Sequence, residues 1–170
     1  MLSITTRGAH FLEDSAHDLC LHGDIRVAFG ERVLAETECT LSGAALYLLR
    51  ALERDHLPDA TVGEKLLPCC ANSMYAPDSP ELDAVVFGCP HGTDLWIRHE
   101  DGAVHITPPK QEPVVVSEAD WRVAVEGLAD QVAAAYAAAP DRIRPDEEHD
   151  AAGWDAMCAE WLRRRGAPLA

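Results

Sequence analysis

The sequence predicts an α+β fold, in which an antiparallel sheet built from hairpins has about three helices packed against it. Alternating polar and apolar runs dominate the first two thirds of the chain, and apolar residues recur at helical spacing in three segments. Turn signals separate consecutive strands and favour hairpins over βαβ units. At 170 residues, the chain is expected to form a single domain, residues 1–170.

The first third predicts a hairpin followed by a helix. A short edge strand is expected over residues 2–6 and a loop or short helix over 8–21. Alternation over 24–29 indicates a half-buried strand, and Gly30 and Glu31 suit a tight turn into a partner strand at 32–35. A helix is expected over 41–55, with Thr40 or Ser42 capping its start. Its apolar stripe consists of Leu41, Ala45, Leu48, Leu49 and Leu52.

The middle of the chain predicts short buried strands and one hairpin whose register can be worked out. Residues 65–67 and 84–87 are expected to be strands, with a surface loop over 72–80 between them. The hairpin spans 93–107 and turns at Asp101 and Gly102, a pair that tolerates the positive φ of a two-residue turn. Pairing outward from that turn sets Arg98 opposite His105 and Ile97 opposite Ile106. The predicted core face carries Leu95, Ile97, His99, Val104 and Ile106, and the outer face carries Trp96, Arg98, Glu100, His105 and Thr107.

The last third predicts one more strand and two helices. The strand is expected over 114–116, after which Ser117 and Asp120 form a capping box that starts a helix over 117–138. A final helix is expected over 147–165 and ends at Gly166. Its predicted buried stripe consists of Trp154, Cys158, Trp161 and Leu162. Trp121, Leu128 and Trp161 are predicted to belong to the core.

The net charge of −15 limits the kinds of partner that the protein can bind. Phosphate-directed binding needs clustered Lys and Arg, so the charge argues against nucleic acid and anionic membranes and favours a basic protein partner. The alternative is that the charge only keeps the protein soluble. No apolar run suggests a signal peptide or a membrane span, so a cytoplasmic location is expected, with the six cysteines present as thiols or metal ligands rather than disulfides.

Cys69, Cys70, Cys89 and His91 form the candidate metal site. Thiolate and imidazole are the usual ligands of tetrahedral zinc, so zinc is the suggested cofactor, in a structural or a catalytic role. The spacing lacks a C-x-x-C pair, and adjacent cysteines in an extended chain would point to opposite sides. The alternative is that the protein has no cofactor and that these cysteines are small buried side chains at strand ends. A further alternative is a small thiol-dependent enzyme, with His91, His99 or His105 as the base.

Two surfaces are candidates for binding a partner. The outer hairpin face offers Trp96, Arg98 and His105, unless a C-terminal helix covers it and makes Trp96 part of the core. The acidic stretch 141–155 is the second candidate, and the alternative there is a solvated loop with favourable charge at a helix start. Its closest acids are Asp146, Glu147, Glu148 and Asp150.

The hypothesis favoured by these observations is a non-enzymatic protein-binding module that captures a basic partner. In size and charge alone, the chain is similar to bacterial immunity proteins that neutralise toxins, a likeness that involves no motif. It implies an inhibitor-like role. The zinc-containing protein and the thiol-dependent enzyme remain the alternatives.

Overall fold

A computed structural model describes residues 1–59, 64–70, 73–79 and 81–169. It has three helices and three antiparallel sheets, which confirms the predicted α+β class. The strands are β1 Leu2–His10, β2 His22–Phe29, β3 Arg32–Thr40, β4 Ser73–Tyr75, β5 Val85–Phe87, β6 Trp96–Glu100, β7 Ala103–Thr107 and β8 Val114–Ser117. The sheets have the strand orders β1-β2-β3, β4-β5 and β6-β7-β8, so three small sheets replace the one that the sequence predicts. The helices are α1 Leu41–Arg50, α2 Glu118–Ala138 and α3 Glu148–Arg165.

Helix α1 lies at the centre of the molecule. All ten of its residues are buried, including Leu46 and Tyr47, which lie outside the predicted apolar stripe. The helix ends at Arg50, earlier than the predicted 55, because Leu52 and Glu53 donate to carbonyls three residues back and tighten the chain into turns. Thr40 makes no capping bond with its side chain, so the predicted cap is wrong there, and Ser42 Oγ instead accepts from Leu21 N–H at 3.2 Å.

The hairpin of β6 and β7 has the predicted register throughout, with Arg98 opposite His105 and Ile97 opposite Ile106. Its core face is buried, apart from the half-buried His99, which hydrogen-bonds the carbonyl of Ala51 at 2.9 Å. Strand β8 pairs with β7, as the predicted strand at 114–116 requires. These three strands present one face to the core and the other to solvent.

Helices α2 and α3 close the core from the C-terminal side. Ser117 Oγ accepts from Asp120 N–H at 3.0 Å, so the predicted cap of α2 is present. Trp121, Leu128 and Trp161 are buried, as predicted. Leu162 is exposed, which contradicts its place in the predicted stripe of α3. No helix within the described ranges is long and apolar enough to cross a membrane.

Strand β4 lies inside the segment that the sequence predicts to be a surface loop. Helix α3 packs directly on its backbone at Gly153, where a Cβ would lie 2.1 Å from the Met74 carbonyl oxygen. Only glycine permits this approach. The contact brings the start of α3 beside the small β4-β5 sheet.

Candidate functional site

The loops that carry the three clustered cysteines are held together by backbone hydrogen bonds. Leu67 and Thr93 exchange two such bonds, at 3.0 and 2.9 Å, and the Pro68 carbonyl accepts from Thr40 N–H at 2.9 Å. Gly92 packs so tightly against this segment that a Cβ would lie 2.9 Å from the Leu67 carbonyl oxygen. Cys69 and Cys70 therefore directly follow a segment whose backbone is held in place by hydrogen bonds. Cys89 lies close to them, just after the end of β5.

Cys69, Cys70 and Cys89 bring their sulfur atoms within 4.8 Å of one another. The Sγ atoms of Cys69 and Cys70 are 3.9 Å apart because the chain bends at Cys69, so the argument that adjacent cysteines point to opposite sides does not apply here. Cys69 and Cys89 form a disulfide with a Cα–Cα distance of 6.8 Å. The expectation of thiols rather than disulfides is wrong for this pair. Cys69 is exposed and the other two are half-buried.

His91 does not join this cluster, although the sequence places it with the three cysteines. The residue is exposed, and the three sulfur atoms form their group without it. Within the described ranges, this trio is the one set of three or more His, Cys, Asp or Glu side chains close enough to share a metal ion. A tetrahedral ion bound there would take three sulfur ligands and keep a fourth position for water or another ligand.

Three cysteines outside the cluster are poor candidates for a thiol nucleophile. Burial, as the largest cause, raises the pKa values of Cys20, Cys39 and Cys158 to about 12 each, which keeps these thiols protonated at neutral pH. His99 is engaged with the Ala51 carbonyl, and His105 lies on the outer face of the hairpin, 4.0 Å from Glu100. His99 and His105, two of the three histidines predicted as bases, therefore contact groups other than a cysteine.

The outer face of the β6-β7-β8 sheet is open to solvent. Arg98 is exposed, Trp96 and His105 are half-buried, and Val115 of β8 is 51% exposed beside them. Among the residues that the structure describes, no helix covers this face as the alternative requires, and Trp96 is not among the core residues. The three residues predicted as a binding surface therefore lie together on one accessible face.

The four acids Asp146, Glu147, Glu148 and Asp150 are all exposed around the N-terminus of α3. None of them forms an ion pair or a side-chain hydrogen bond with another described residue. The nearby Arg144 is engaged with Asp155 at 2.7 Å, and Arg142 donates to backbone carbonyls of Ser15 and Pro140. The segment thus keeps its negative charge on the surface.

An exposed aromatic patch beside this acidic segment was missed by sequence reasoning. Tyr75 of β4 lies with its ring centroid 4.9 Å from His149 and 6.2 Å from Phe87 of β5. Phe87 is 45% exposed, and Val85 shares its face of the small sheet. Val85, Val86 and Phe87 form an uninterrupted apolar run in the sequence, which was interpreted as a buried strand.

A cleft of about 370 Å³ adjoins the acidic segment. Its lining includes two acids, Asp18 and Asp150, and the apolar residues Leu19, Met74 and Ile143. The Asp18 carboxylate also accepts hydrogen bonds from Leu12 N–H and Cys20 N–H. Such a cleft combines an apolar wall with negative charge, which suits the aliphatic stem and the charged end of a Lys or Arg side chain.

Two polar networks were also missed. Arg50 and Glu160 are paired in the core, and Asp83 contacts Arg54, Arg163 and Arg164 nearby. The second network joins His56 Nε2 to Asp94 Oδ1 at 2.8 Å and Lys65 Nζ to Asp94 Oδ2 at 3.2 Å. No motif signals either network, because the partners are far apart in sequence.

No protein-family model, curated protein or solved structure matches this chain.

Proposed function

We propose that this protein is a non-enzymatic binding module that captures a basic protein partner, in the manner of an inhibitor or immunity protein. The observation that carries the proposal is the cluster of exposed carboxylates at Asp146, Glu147, Glu148 and Asp150, next to an aromatic patch formed by the half-buried Tyr75 and the exposed Phe87. We call this combined surface the acidic–aromatic face.

The distribution of cations supports this choice of partner. Every Lys and Arg side chain except Arg98 and Lys110 contacts a carboxylate, a carbonyl or an amide oxygen within the described part of the chain. Most cationic side chains therefore already contact oxygen atoms of the protein itself. The surplus acidic side chains remain available to solvent or to a partner. A basic protein is attracted by that surplus and nucleic acid is repelled by it.

The acidic–aromatic face also has the composition of a binding site. Exposed aromatic residues give a partner apolar area to bury, and a charged rim steers its approach. The cleft lined by Asp18 and Asp150 offers room for one cationic side chain. The outer face of β6-β7-β8 is the other accessible surface, but its unpaired Arg98 would repel a basic partner, so we assign the docking role to the acidic–aromatic face.

Association kinetics test this proposal. The probe is a short synthetic peptide that alternates Arg with Leu, and the variant combines Asp146→Asn, Glu147→Gln, Glu148→Gln and Asp150→Asn. We expect its association rate to fall about tenfold or more at low salt, because steering depends on local charge. Between about 0.1 M and about 1 M salt, the rate for the unmodified protein should fall towards that of the variant, since the Debye length shrinks from about 10 Å to about 3 Å.

A matched control separates local charge from net charge. The combination Glu31→Gln, Glu38→Gln, Glu112→Gln and Glu118→Gln removes the same charge from exposed acids elsewhere on the surface. Equal effects of the two variants would mean that the acids of 146–150 only contribute to solubility.

We propose a second candidate function, a zinc site formed by Cys69, Cys70 and Cys89 in their reduced state. The proximity of the three sulfur atoms favours it. Zinc binds thiolate sulfur at about 2.3 Å, so small shifts of the three side chains would let their sulfur atoms bind one ion and supply three of its four ligands. A cytoplasmic location, which we also propose, would keep the thiols reduced. Metal analysis of protein purified under reducing conditions tests the site, and less than stoichiometric zinc would refute it.

A further inference from the structure

We infer that the cysteine cluster is a site at which a hydroperoxide oxidises the protein, and that formation of the Cys69–Cys89 disulfide expels a bound thiophilic cation. The inference rests on the second proposed function, the zinc site. Hydroperoxides are the class of substrate, disulfide formation is the reaction, and release of the cation is its consequence.

The structure brings together the three cysteines that take part in this reaction. The same sulfur atoms that would bind a cation are the ones that the disulfide joins, so the two states exclude each other. Cys69 is the exposed member of the trio and is the sulfur that a small oxidant reaches first. Cys89 is its bonded partner, and Cys70 lies with its Sγ 3.9 Å from that of Cys69.

The chemistry balances with a hydroperoxide as the oxidant. The Cys69 thiolate attacks the peroxide oxygen, the O–O bond breaks, and Cys69 becomes a sulfenic acid while an alcohol, or water from hydrogen peroxide, leaves. The Cys89 thiol then displaces the hydroxyl group from Cys69 as water and forms the disulfide. The two sulfurs together lose two electrons, which reduce the peroxide. A low-molecular-weight thiol reverses the step by thiol–disulfide exchange and is itself oxidised to its disulfide.

The loss of the cation follows from the number of ligands. A disulfide sulfur is no longer a thiolate and does not ligate zinc, so oxidation reduces the ligand set from three sulfurs to Cys70 alone. The fixed backbone around Leu67 and Thr93 holds the two loops in place in either state. Reduction therefore restores the site without refolding of the chain.

The experiment measures zinc release and disulfide formation on the same sample. Reduced protein is loaded with zinc, treated with hydrogen peroxide, and followed with a chromogenic zinc chelator. Glu-C protease then cuts after Glu64, Glu81 and Glu100, which separates Cys69 and Cys70 from Cys89. A peptide pair that stays linked without reductant reports the disulfide, and fragmentation between Cys69 and Cys70 identifies the partner of Cys89.

We expect one zinc ion to be released for each Cys69–Cys89 disulfide formed, and dithiothreitol to restore binding. In Cys89→Ser, the sulfenic acid on Cys69 should persist and be trapped by dimedone. In Cys70→Ser, the disulfide should still form, while zinc affinity falls at least tenfold because one of three ligands is lost. Cys158→Ser, which removes a half-buried thiol outside the cluster, should behave like the unmodified protein.

Three outcomes would overturn the inference, and they are distinguishable. Reduced protein that takes up no zinc would refute the zinc site as well as its control by oxidation. Zinc that remains bound after the disulfide has formed would leave the zinc site in place and refute the displacement. A disulfide that joins Cys89 to Cys70 would leave the zinc site in place and refute the assigned pairing of Cys69 with Cys89.

Discussion

Arg50 of α1 and Glu160 of α3 form a buried ion pair joined by two hydrogen bonds, from Nε to Oε1 at 2.8 Å and from Nη2 to Oε2 at 2.7 Å. Arg50 is 4% exposed and Glu160 is fully buried. Ala84 binds both side chains, since its N–H donates to Glu160 and its carbonyl accepts from Arg50. The pair thereby fixes both helices to the chain that enters β5.

Removal of Glu160 should strongly destabilise the protein. Glu160→Ala would remove both hydrogen bonds between Arg50 and Glu160 and leave the buried guanidinium with the more distant carboxylate of Asp83, 3.7 Å away. We expect the free energy of unfolding to fall by about 3–5 kcal/mol. Urea denaturation measures this change. Asp155→Ala breaks the solvent-exposed pair with Arg144 and should cost less than about 1 kcal/mol. Equal losses in the two variants would show that the buried pair has no special role.

Trp121 should be a main contributor to the core. Its side chain is fully buried, and its Nε1–H donates to the Ala51 carbonyl at 3.1 Å. We expect Trp121→Ala to lower the free energy of unfolding by about 3–5 kcal/mol, because the substitution leaves a cavity and removes one of the two side-chain hydrogen bonds that the Ala51 carbonyl accepts. Val123→Ala, two residues away and 71% exposed, is the control. An unchanged denaturation midpoint for Trp121→Ala would contradict its assignment to the core.

Asp94 should make stability depend on pH in the acid range. Burial alone would raise the pKa of Asp94, but the hydrogen bond and charge of His56 outweigh it and hold that pKa below its ordinary value. The stability that Asp94 contributes is therefore present above its unfolded-state pKa of about 3.9 and is lost as pH falls through the lower folded-state pKa.

Comparison of Asp94→Asn with the unmodified protein tests this pH dependence. The variant should be less stable at neutral pH, and the difference in free energy of unfolding should shrink as pH falls below about 4. Asp78→Asn removes one exposed carboxylate that has no partner among the described residues, and so controls for the loss of charge. A difference that is the same at neutral and acid pH would exclude the proposed role of ionised Asp94.

The features predictable from sequence were those determined by local patterns. The Asp101-Gly102 turn and the alternation around it determine the register of β6 and β7, and the stripe of Trp121 and Leu128 determines the buried face of α2. Strands β4 and β5 have only three residues each, too few for alternation to identify the exposed face that carries Phe87.

The features that could not be predicted depend on distant parts of the chain. The Arg50–Glu160 pair joins residues 110 positions apart, and its formation requires the packing of α1 and α3. The sequence suggested that Cys69, Cys70 and Cys89 might share an ion, but the bend at Cys69 that makes their sulfurs neighbours appears only in the folded chain. His91 was included in that set because of its position in the sequence, which does not determine where its side chain lies.

The most direct test of the proposed partner surface is to map peptide binding residue by residue. The synthetic Arg–Leu peptide is titrated into ¹⁵N-labelled protein, and amide chemical shifts are followed by NMR at about 0.1 M salt, where the Debye length is about 10 Å. Binding at the acidic–aromatic face predicts shifts concentrated at 146–150 and around Tyr75 and Phe87, with saturation at a single site. Shifts spread over acids throughout the surface, or centred on Trp96 and His105, would contradict the proposal.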